Sequence, residues 1–576
     1  MGYRDVYEKW LRDPGVDQGT KDELLSIAGN EREIEDRFFR DLEFGTGGLR
    51  GVLGAGSNRL NIYTIRKATQ GLANYILKSE DYVPGMGVAI AHDSRRMSPE
   101  FTLEAALVFN ANGIKTYVFD SLRPTPLLSF AVRHLKCIAG IVITASHNPP
   151  EYNGYKVYWA DGGQCTSPRD NDIIAQVNKV TDFAMIKTMP QAEATAKGLY
   201  NIAPPEVDDA YIANVKSCGI NTNIIPDSDI KIVYTPLHGA GNIPVRRALK
   251  ECGFKHIHVV PEQEMPDGEF PTVPYPNPED SAAYDLALKL AKQIDADVAI
   301  ATDPDADRVG VAIKHNGEHI ILTGNMVGAI LTEYLLSQLQ ANGHLPKNAA
   351  VISTIVSTDM GRKIANAYGA TYTDVLTGFK FIGEKMNEFE ATGSHTYILG
   401  YEESYGYLAG TYARDKDAVV ASLLICEAVA YYKLQGLSLY DVLQKLYQQH
   451  GRHLELTTSL TMKGTEGLQD IRRIMTGLRK SPPATLGGFN LVETRDYKSG
   501  VIKYSNGQEK PTNLPQSDVL YFTTQDDSWA CIRPSGTEPK IKLYFGVCLP
   551  PTATHEDAAS KLAALEEDLK SKIDLF

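Results

Sequence analysis

The sequence has few cysteines for its length, seven in 576 residues, and they are scattered singly along the chain. No two of them form a CxxC pair, and an odd number leaves at least one without a partner in the chain. This usage argues against a disulfide framework and against a zinc site. It is typical of reduced thiols in a cytoplasmic protein, and we therefore expect a cytoplasmic location.

Long apolar runs are also lacking. No uninterrupted apolar stretch approaches the ~18 residues of a membrane-spanning helix, so we expect no membrane partner. The opening residues MGYRDVYEKWLRD are charged and have no apolar centre, which argues against a signal peptide. The myristoylation pattern fails as well, because Val6 stands where that pattern needs Ser or Thr.

Positive charge is in deficit, with 58 Lys and Arg against 71 Asp and Glu, and the formal net charge is −13. Affinity for nucleic acids rests on basic side chains that neutralise phosphates, so this balance argues against a nucleic-acid binder. An anionic ligand of this protein has to be bound by a local group of basic side chains.

Three segments repeat a strand–helix–strand pattern, each with a glycine placed to end the helix. The first runs from GVAIAHDS to NGIKTYVFD, the second from KIVYT to KHIHVV, and the third from AAVIST to TYTDV. The glycines are Gly113, Gly253 and Gly369. Val- and Ile-rich strands joined by amphipathic helices predict parallel or mixed sheets covered by helices.

The last ~120 residues contain HLELTTSL, VLYFTTQ, WACIRP and KIKLYFGVCL, which predict strands without this spacing, and a closing amphipathic helix. The first ~40 residues predict helices. At ~100–200 residues per domain, the length allows three to five domains. We expect an α/β protein in which three related α/β domains with mixed sheets and a smaller C-terminal α+β domain surround a central cleft. The predicted domain boundaries are 1–205, 206–325, 326–450 and 451–576.

The stretch TASHNPPEYNGYK, residues 144–156, follows the apolar run CIAGIVI. A buried strand that ends in hydroxyl, imidazole and amide side chains indicates a functional loop. Two consecutive prolines prevent a helix from starting there. We therefore expect the hydroxyl of Ser146 to have a functional role.

A second stretch, ADVAIATDPDADRVGVAI, places Asp303, Asp305 and Asp307 between two apolar strands. Two carboxylates at about 4 Å repel by on the order of 4 kcal/mol at an effective dielectric constant near 20. Three of them sequestered together require a cation, and an all-oxygen set with few ligands suits Mg²⁺. Arg308, which follows directly, adds a positive charge beside this acidic loop, residues 303–308.

Other interpretations of the acidic loop are testable on the sequence. An EF-hand loop that starts at Asp303 fails, because Arg308 and Lys314 stand where Gly and Glu are required. An Asp-nucleophile phosphatase of the haloacid dehalogenase type remains open, since residues 305–309 fit its D-x-D-x-[TV] pattern. A solvated acidic loop is the structural alternative.

A third stretch, SWACIRPSGTEPKIKLYF, combines a guanidinium with two hydroxyls and a flexible backbone, a set suited to holding phosphate. Its residues are Arg533, Ser535, Gly536 and Thr537. A fourth, ILGYEESYGYLAG, places Glu402 and Ser404 after a buried strand, where they suit sugar hydroxyls or a helix cap. The segments TGFKFIGEKM and FGTGGLRG, which ends at Gly51, are weak signals by themselves.

In this order and at these separations, TASHNPP, DPDADR, EESYG and RPSGTEP resemble the motifs of the α-D-phosphohexomutase superfamily. Within it the chain is most similar to the phosphoglucomutase branch related to phosphopentomutases. The resemblance extends from FGTGGLRG to KIKLY. It implies an isomerase that interconverts glucose 1-phosphate and glucose 6-phosphate, with glucose 1,6-bisphosphate as intermediate and activator. It also implies a monomer or homodimer that binds sugar phosphates.

The resemblance further implies roles for individual residues. Ser146 would carry a phosphoryl group and complete a Mg²⁺ site with Asp303, Asp305 and Asp307. The implied residues around the transferring phosphate are Arg50, His147, Lys156 and Arg308, with Lys156 a candidate acid/base and His147 either catalytic or structural. The implied sugar-phosphate ligands are Thr377, Gly378, Lys380, Glu402, Ser404, Arg533, Ser535, Gly536 and Thr537.

The chain departs from the family pattern at three places. Its first domain reads AHDSR where the family often has Gly-Tyr-Asp-x-Arg, although Asp93 and Arg95 are kept. Phe379 follows the Thr-Gly of the third domain where enzymes that also accept mannose tend to have His. Glu403 stands where those enzymes often have Met. The last two differences favour glucose, with pentose or mannose phosphates and the Asp305 phosphatase as alternatives.

Overall fold

The computed structural model describes residues 2–45, 48–462, 464–535 and 540–575. It divides into two compact units. The first unit contains Met1–Gly324 and Phe379–Gly436, and the second contains Asn325–Gly378 and Leu437–Phe576. Among the described residues no helix is both long and apolar enough to cross a membrane.

The first sheet has six strands, in the order β1-β5-β4-β2-β3-β6. The strands are β1 (Gly48–Val52), β2 (Gly87–His92), β3 (Lys115–Val118), β4 (Ala139–Ile143), β5 (Tyr152–Trp159) and β6 (Tyr200–Ile202). The helices are α1 (Tyr3–Arg12), α2 (Gln18–Ser26), α3 (Glu31–Phe38), α4 (Ile62–Ile76), α5 (Ser98–Ala111), α6 (Thr125–His134), α7 (Arg169–Asn178), α8 (Gln191–Ala196) and α9 (Glu206–Ser217). A 3-10 turn spans Phe183–Met185. The central strands β2 and β4 are buried along their whole length, as expected for strands with helices on both faces.

The second sheet has five strands, in the order β11-β10-β9-β7-β8. They are β7 (Lys231–Thr235), β8 (His256–Val259), β9 (Val298–Thr302), β10 (Val309–His315) and β11 (Glu318–Leu322). The helices are α10 (Asn242–Cys252), α11 (Pro261–Glu264) and α12 (Asp285–Ile294), with 3-10 turns at Thr222–Asp227 and Ser281–Tyr284. Because β7 and β9 are parallel whereas β9, β10 and β11 are antiparallel, this sheet is mixed, as is the first.

Residues 324–450 supply the third set of elements. In chain order these are α13 (Gly324–Ala341), β12 (Ala349–Thr354), α14 (Met360–Ala367), β13 (Thr371–Val375), α15 (Phe379–Thr392), β14 (Thr396–Glu402), β15 (Gly406–Ala409), α16 (Ala418–Lys433) and α17 (Leu439–His450). In the second unit β12 and β13 are parallel. In the first unit β14 and β15 form an antiparallel hairpin.

The C-terminal sheet is antiparallel in its described pairs and follows the order β16-β23-β22-β21-β18-β19-β20, with β17 beside β18. Its elements are β16 (Arg452–Thr461), α18 (Gly464–Lys480), β17 (Thr485–Leu486), β18 (Phe489–Asp496), β19 (Val501–Tyr504), β20 (Glu509–Pro511), β21 (Leu520–Thr524), β22 (Trp529–Pro534), β23 (Lys540–Leu549) and α19 (His555–Ile573). The sequence analysis identified β16, β21, β22 and β23. It missed β17 to β20, which are short or only partly buried and have mixed polarity.

The predicted fold class is confirmed: three α/β domains with mixed sheets are followed by a β-rich C-terminal domain. The three strand–helix–strand units have the expected parallel strands. The predicted glycines follow their helices in the left-handed conformation, with φ of 80° at Gly113, 106° at Gly253 and 70° at Gly369. A side chain with a Cβ rarely adopts this conformation, which explains why each helix ends at a glycine.

Candidate active site

Ser146 lies in the loop between β4 and β5 and is buried. Its φ of 52° is in the left-handed region, which non-glycine residues seldom occupy and which is often found at functional sites. The Ser146 hydroxyl donates to Asp303 Oδ2 at 2.8 Å. On its other side, Ser146 Oγ lies 3.2 Å from His147 Nδ1. The loop therefore presents one hydroxyl between a carboxylate and an imidazole.

A buried arginine holds the Ser146 loop in shape. Arg95, just after β2, forms an ion pair with Asp93 at 3.2 Å, and both side chains are fully buried. The Arg95 guanidinium donates to four carbonyl oxygens of the loop and of the start of β5, those of Ser146, Asn148, Pro149 and Tyr152. Since one rigid donor group satisfies several carbonyls, it can stabilise the strained backbone around Ser146.

The acidic loop connects the antiparallel strands β9 and β10, and all three aspartates are buried. Asp303 Oδ1 accepts hydrogen bonds from the backbone N–H groups of Asp307 and Arg308, at 3.1 and 3.0 Å. These bonds fold the loop back on itself. The potential ligand oxygens of the three aspartates lie within 4.8 Å of one another.

Two lysines face one side of this cluster. Lys156 Nζ, on β5, donates to Asp305 Oδ2 at 2.8 Å and to Asp307 Oδ2 at 3.3 Å. Lys416 Nζ donates to Asp307 Oδ2 at 2.8 Å. Burial opposes ionisation of Asp307, but the ammonium groups of Lys416 and Lys156 lower its pKa below the usual range. Burial also opposes ionisation of Asp305, but Lys156 and Lys416 lower its pKa, so both groups are carboxylates.

Asp303 behaves in the opposite way. Burial, followed by the charges of Asp305 and Asp307, raises the pKa of Asp303 well above its usual value. The charge of Arg308 lowers the pKa of Asp303 only in part. Its Nη1 donates instead to Glu279 at 2.5 Å, and its Nε lies 3.9 Å from Asp307 Oδ1. Of the three aspartates, Asp303, which contacts Ser146, is therefore the one whose ionised form is disfavoured.

The residues fit a divalent metal ion. Asp305 Oδ1 and Asp307 Oδ1 are buried and accept no hydrogen bond from the described residues. Buried carboxylate oxygens without donors are unfavourable unless a cation binds them. The donors are all oxygen atoms, which hard cations such as Mg²⁺ prefer.

The sugar-binding residues predicted in the third domain lie partly in the first unit. Glu402 ends β14 and is buried, and Ser404 lies in the turn that follows. The turn contacts the end of the acidic loop, since Arg308 and Gly406 form an antiparallel bridge and Val309 N donates to Tyr405 O at 3.0 Å. Burial, with a smaller effect of Glu403, raises the pKa of Glu402 to about 7, although Lys416 and Arg308 oppose the shift.

The remaining predicted residues of the first unit are Arg50 and Lys380. Arg50 is exposed on β1, and its Nη1 donates to Asn148 Oδ1 in the Ser146 loop at 3.4 Å. Lys380 lies in the first turn of α15, with Nζ 5.2 Å from the centre of the Phe381 ring.

The second unit contains four other predicted residues. Thr377 and Gly378 follow β13, and Gly378 has a φ of 121°. Arg533 lies at the end of β22, and Ser535 N donates to Lys540 O at 2.7 Å. The predictions for Gly536 and Thr537 lie outside the described residues.

The sequence analysis missed Lys416. This lysine lies between Asp415 and Asp417, each of which accepts a hydrogen bond from a buried tyrosine. Tyr158 on β5 donates to Asp415 at 2.6 Å, and Tyr211 on α9 donates to Asp417 at 2.8 Å. The alternating charges of RDKD, at 414–417, were the available signal. The analysis also missed Thr125, whose hydroxyl donates to Asp305 Oδ2 at 2.8 Å.

Three family models match the chain, all from phosphoglucomutase/phosphomannomutase. The alpha/beta/alpha domain I matches residues 41–183, domain II matches residues 209–317, and domain III matches residues 323–450. Together they cover more than half of the chain. The first model includes β1 to β5, and the second includes β7 to β10.

Similar proteins match over most of the chain. A phosphoglucomutase from Staphylococcus haemolyticus is 36% identical over 89% of this chain and 91% of its own length. One from Staphylococcus aureus is 37% identical over 92% of this chain and 94% of its own length. Among solved structures, the phosphoglucomutase pp63/parafusin from Paramecium matches with a TM-score of 0.69 at 18% identity, over 93% of this chain and 95% of that one. At that identity the structural match supports the fold alone.

Proposed function

Since the chain belongs to the phosphoglucomutase/phosphomannomutase family, we propose that it interconverts glucose 1-phosphate and glucose 6-phosphate. The phosphoryl group is exchanged with Ser146, and glucose 1,6-bisphosphate is the intermediate and activator. The observation that carries this proposal is the 2.8 Å contact between Ser146 Oγ and Asp303 Oδ2, at the edge of a buried acidic cluster. A serine beside a cation site suits phosphoryl transfer.

The family implies a metal cofactor, and Asp303, Asp305 and Asp307 are the residues that would hold it, together with an oxygen on Ser146. We take the ion to be Mg²⁺ because all the donors are oxygen atoms. When bound, the ion supplies positive charge where the transferring phosphoryl group carries negative charge.

The protein's own groups contribute position and charge. The Arg95 contacts orient the Ser146 loop, so that little reorganisation is needed when the substrate hydroxyl approaches. Lys156 and Lys416 place two ammonium groups at the buried cluster, where electrostatic interactions are stronger than in water. Arg50 and Arg308 add guanidinium charge around the same loops.

Lys156 is the candidate general acid/base for the substrate hydroxyl. Burial works against its charge, but Asp305 and Asp307 raise the pKa of Lys156, so it is an ammonium in this arrangement. As an ammonium, Lys156 can donate a proton to a sugar oxygen when its phosphoryl group leaves, and the amine that remains can accept the hydroxyl proton in the reverse direction. His147 Nδ1 lies 3.2 Å from Ser146 Oγ, so His147 is a candidate for holding the nucleophilic hydroxyl in position.

The substrate-binding roles are assigned to two groups of residues. Glu402 and Ser404 suit sugar hydroxyls, because they combine an acceptor and a donor at the turn that contacts the acidic loop. We assign the phosphate that is not transferred to Arg533, Ser535, Gly536 and Thr537. Thr377, Gly378 and Lys380 complete the proposed set.

The experiment that tests this function is a product assay. The protein is mixed with Mg²⁺, glucose 1-phosphate and a trace of glucose 1,6-bisphosphate, and formation of glucose 6-phosphate is expected. Mannose 1-phosphate and ribose 1-phosphate, assayed in parallel, are expected to give a lower kcat/KM. A higher kcat/KM for either sugar would reassign the substrate, and no product from any of them would refute the proposal.

A further inference from the structure

Cys548 differs from the other half-buried cysteines of the protein in its neighbours. Cys218 and Cys252 are half-buried, and burial raises the pKa values of their thiols to about 12 and about 11. Cys548 is half-buried as well, but it contacts a lysine and a histidine. The other four cysteines are buried: Cys137, Cys165, Cys426 and Cys531.

Three elements of the second unit build this cluster. The antiparallel register of β16 and β23 places His453 directly opposite Cys548, and His453 Nε2 lies 3.4 Å from Cys548 Sγ. Helix α14 brings the exposed Lys363, whose Nζ lies 3.0 Å from the same sulfur. Lys363 Nζ also donates to His450 O at 3.0 Å, which fixes the position of the amine.

These neighbours are the ones that favour reaction at sulfur. A cationic group beside the thiol and access to solvent mark reactive cysteines in general. Burial, assisted by the charge of Lys363, lowers the pKa of His453 to about 3, so its imidazole is neutral at physiological pH. His453 Nε2 also lies 3.4 Å from His450 O, a contact that calls for hydrogen on Nε2, so this N–H can also donate to the sulfur. Together with the ammonium group of Lys363 it favours a thiolate on Cys548.

We propose that Cys548 is an oxidation site for hydrogen peroxide, and that Lys363 captures the oxidised sulfur as a reversible sulfur–nitrogen cross-link. In the first step the Cys548 thiolate attacks one peroxide oxygen and the O–O bond breaks. The leaving hydroxide takes a proton from the Lys363 ammonium, which becomes a neutral amine. Sulfenic acid on Cys548 and one water are the products, and the sulfur is oxidised by two electrons.

In the second step the neutral amine of Lys363 attacks the sulfur of the sulfenic acid. The S–N bond forms and the S–O bond breaks, and the hydroxyl leaves as water with a proton from the nitrogen. No further oxidant is needed. Two equivalents of an added thiol reverse the link, because they return Cys548 and Lys363 to thiol and amine and become a disulfide.

The cross-link would join the two chain segments of the second unit. Lys363 belongs to Asn325–Gly378 and Cys548 to Leu437–Phe576. A covalent bond between residues so far apart in sequence reduces the freedom of the unfolded chain, as a disulfide does. We therefore expect the oxidised protein to unfold at a higher temperature than the reduced protein.

The test treats the full-length protein with a small excess of hydrogen peroxide and follows it by intact mass and peptide mapping. The linked protein has lost the mass of two hydrogen atoms, and the peptides of α14 and β23 are recovered joined. Dithiothreitol restores the original mass. Cys252→Ser, a matched half-buried cysteine, is expected to give as much linked product as the unaltered chain.

Two variants separate the steps. Cys548→Ser abolishes the link, whereas Lys363→Arg keeps the positive charge and stops at a sulfenic acid that dimedone labels. Both positions are at least partly exposed, so unchanged melting temperatures of the reduced variants are expected. The proposal is overturned if Cys218 or Cys252 is oxidised before Cys548, or if Cys548 is oxidised in the unaltered chain without being joined to Lys363.

Discussion

The acidic loop in the first unit and the pair Arg533 and Ser535 in the second unit, called the Arg533 loop, occupy similar places in their sheets. Each lies at the end of a largely buried apolar strand whose neighbour in the sheet is antiparallel. In the acidic loop all three carboxylates are buried and contact specific lysines, backbone amides or Ser146. Arg533 and Ser535, by contrast, are only half-buried.

This difference in burial indicates different roles for the two loops. Groups that stabilise charge during phosphoryl transfer are most effective when the fold fixes them in a buried site before the ligand arrives. Groups that hold a phosphate which does not react need to be accessible while the ligand enters. We therefore expect changes near the acidic loop to lower kcat, and changes at the Arg533 loop to raise KM.

The largest effect is expected from Ser146→Ala. Without the hydroxyl no phosphoryl group can be held on the enzyme, so mutase activity falls at least ~10⁴-fold. Glucose 6-phosphate formation measures the loss, and Ser26→Ala, an exposed serine at the end of α2, is the matched control. Residual activity within tenfold of the unaltered chain would remove Ser146 from the mechanism.

The next effect is expected from Lys416→Met. Removing this ammonium takes one positive charge from the buried cluster, so kcat is expected to fall ~10²–10³-fold. The affinity for Mg²⁺ is expected to rise in the same variant, because Lys416 no longer competes for Asp307. Calorimetric titration with Mg²⁺ and steady-state kinetics measure the two effects. Lys433 ends α16 and pairs with Asp297, and Lys433→Met should change neither kcat nor the affinity for Mg²⁺.

A smaller effect is expected from Arg533→Lys. A lysine keeps the charge but loses the bidentate geometry of the guanidinium, so KM for glucose 1-phosphate is expected to rise ~10-fold. kcat is expected to change less than threefold by the same reasoning. Arg472→Lys, on the exposed face of α18, is the control. A loss confined to kcat would contradict the division between the two loops.

The prediction for Glu402→Gln concerns stability and not kcat or KM. Since burial raises the pKa of Glu402 from 4.5 to about 7, folding favours its protonated form. That contribution is complete below pH ~4.5 and is lost as the pH rises through ~7, and it amounts to on the order of 3 kcal/mol. Urea unfolding from pH 5 to 8 should show less decline for Glu402→Gln than for the unaltered chain. The exposed Glu100→Gln should decline like the unaltered chain.

Local sequence was sufficient to predict the position of loops that are made of consecutive residues. The Ser146 loop and the alternating aspartates of the acidic loop each follow one apolar strand, and the strand pattern places them at its end. The three strand–helix–strand units were predictable for the same reason. Their hydrophobic periodicity and terminal glycines are local signals.

Contacts between distant segments were not predictable in this way. Lys416 meets Asp307 across 109 positions, and Arg95 reaches the carbonyl of Tyr152 across 57. The pairing of Arg308 with Glu279 likewise depends on the path of the chain between the strands. A single sequence carries no signal for such pairings, because they arise only when the sheets are assembled.

The most direct test of the central claim is to locate the transferred phosphate. The protein is incubated with Mg²⁺ and glucose 1,6-bisphosphate carrying radiolabelled phosphate, then denatured in acid and mapped by peptide mass spectrometry. We predict acid-stable label on the peptide that contains Ser146 and none in Ser146→Ala. Label that hydroxylamine removes from Asp305, with Ser146 unlabelled, would contradict the account and favour an Asp-nucleophile phosphatase.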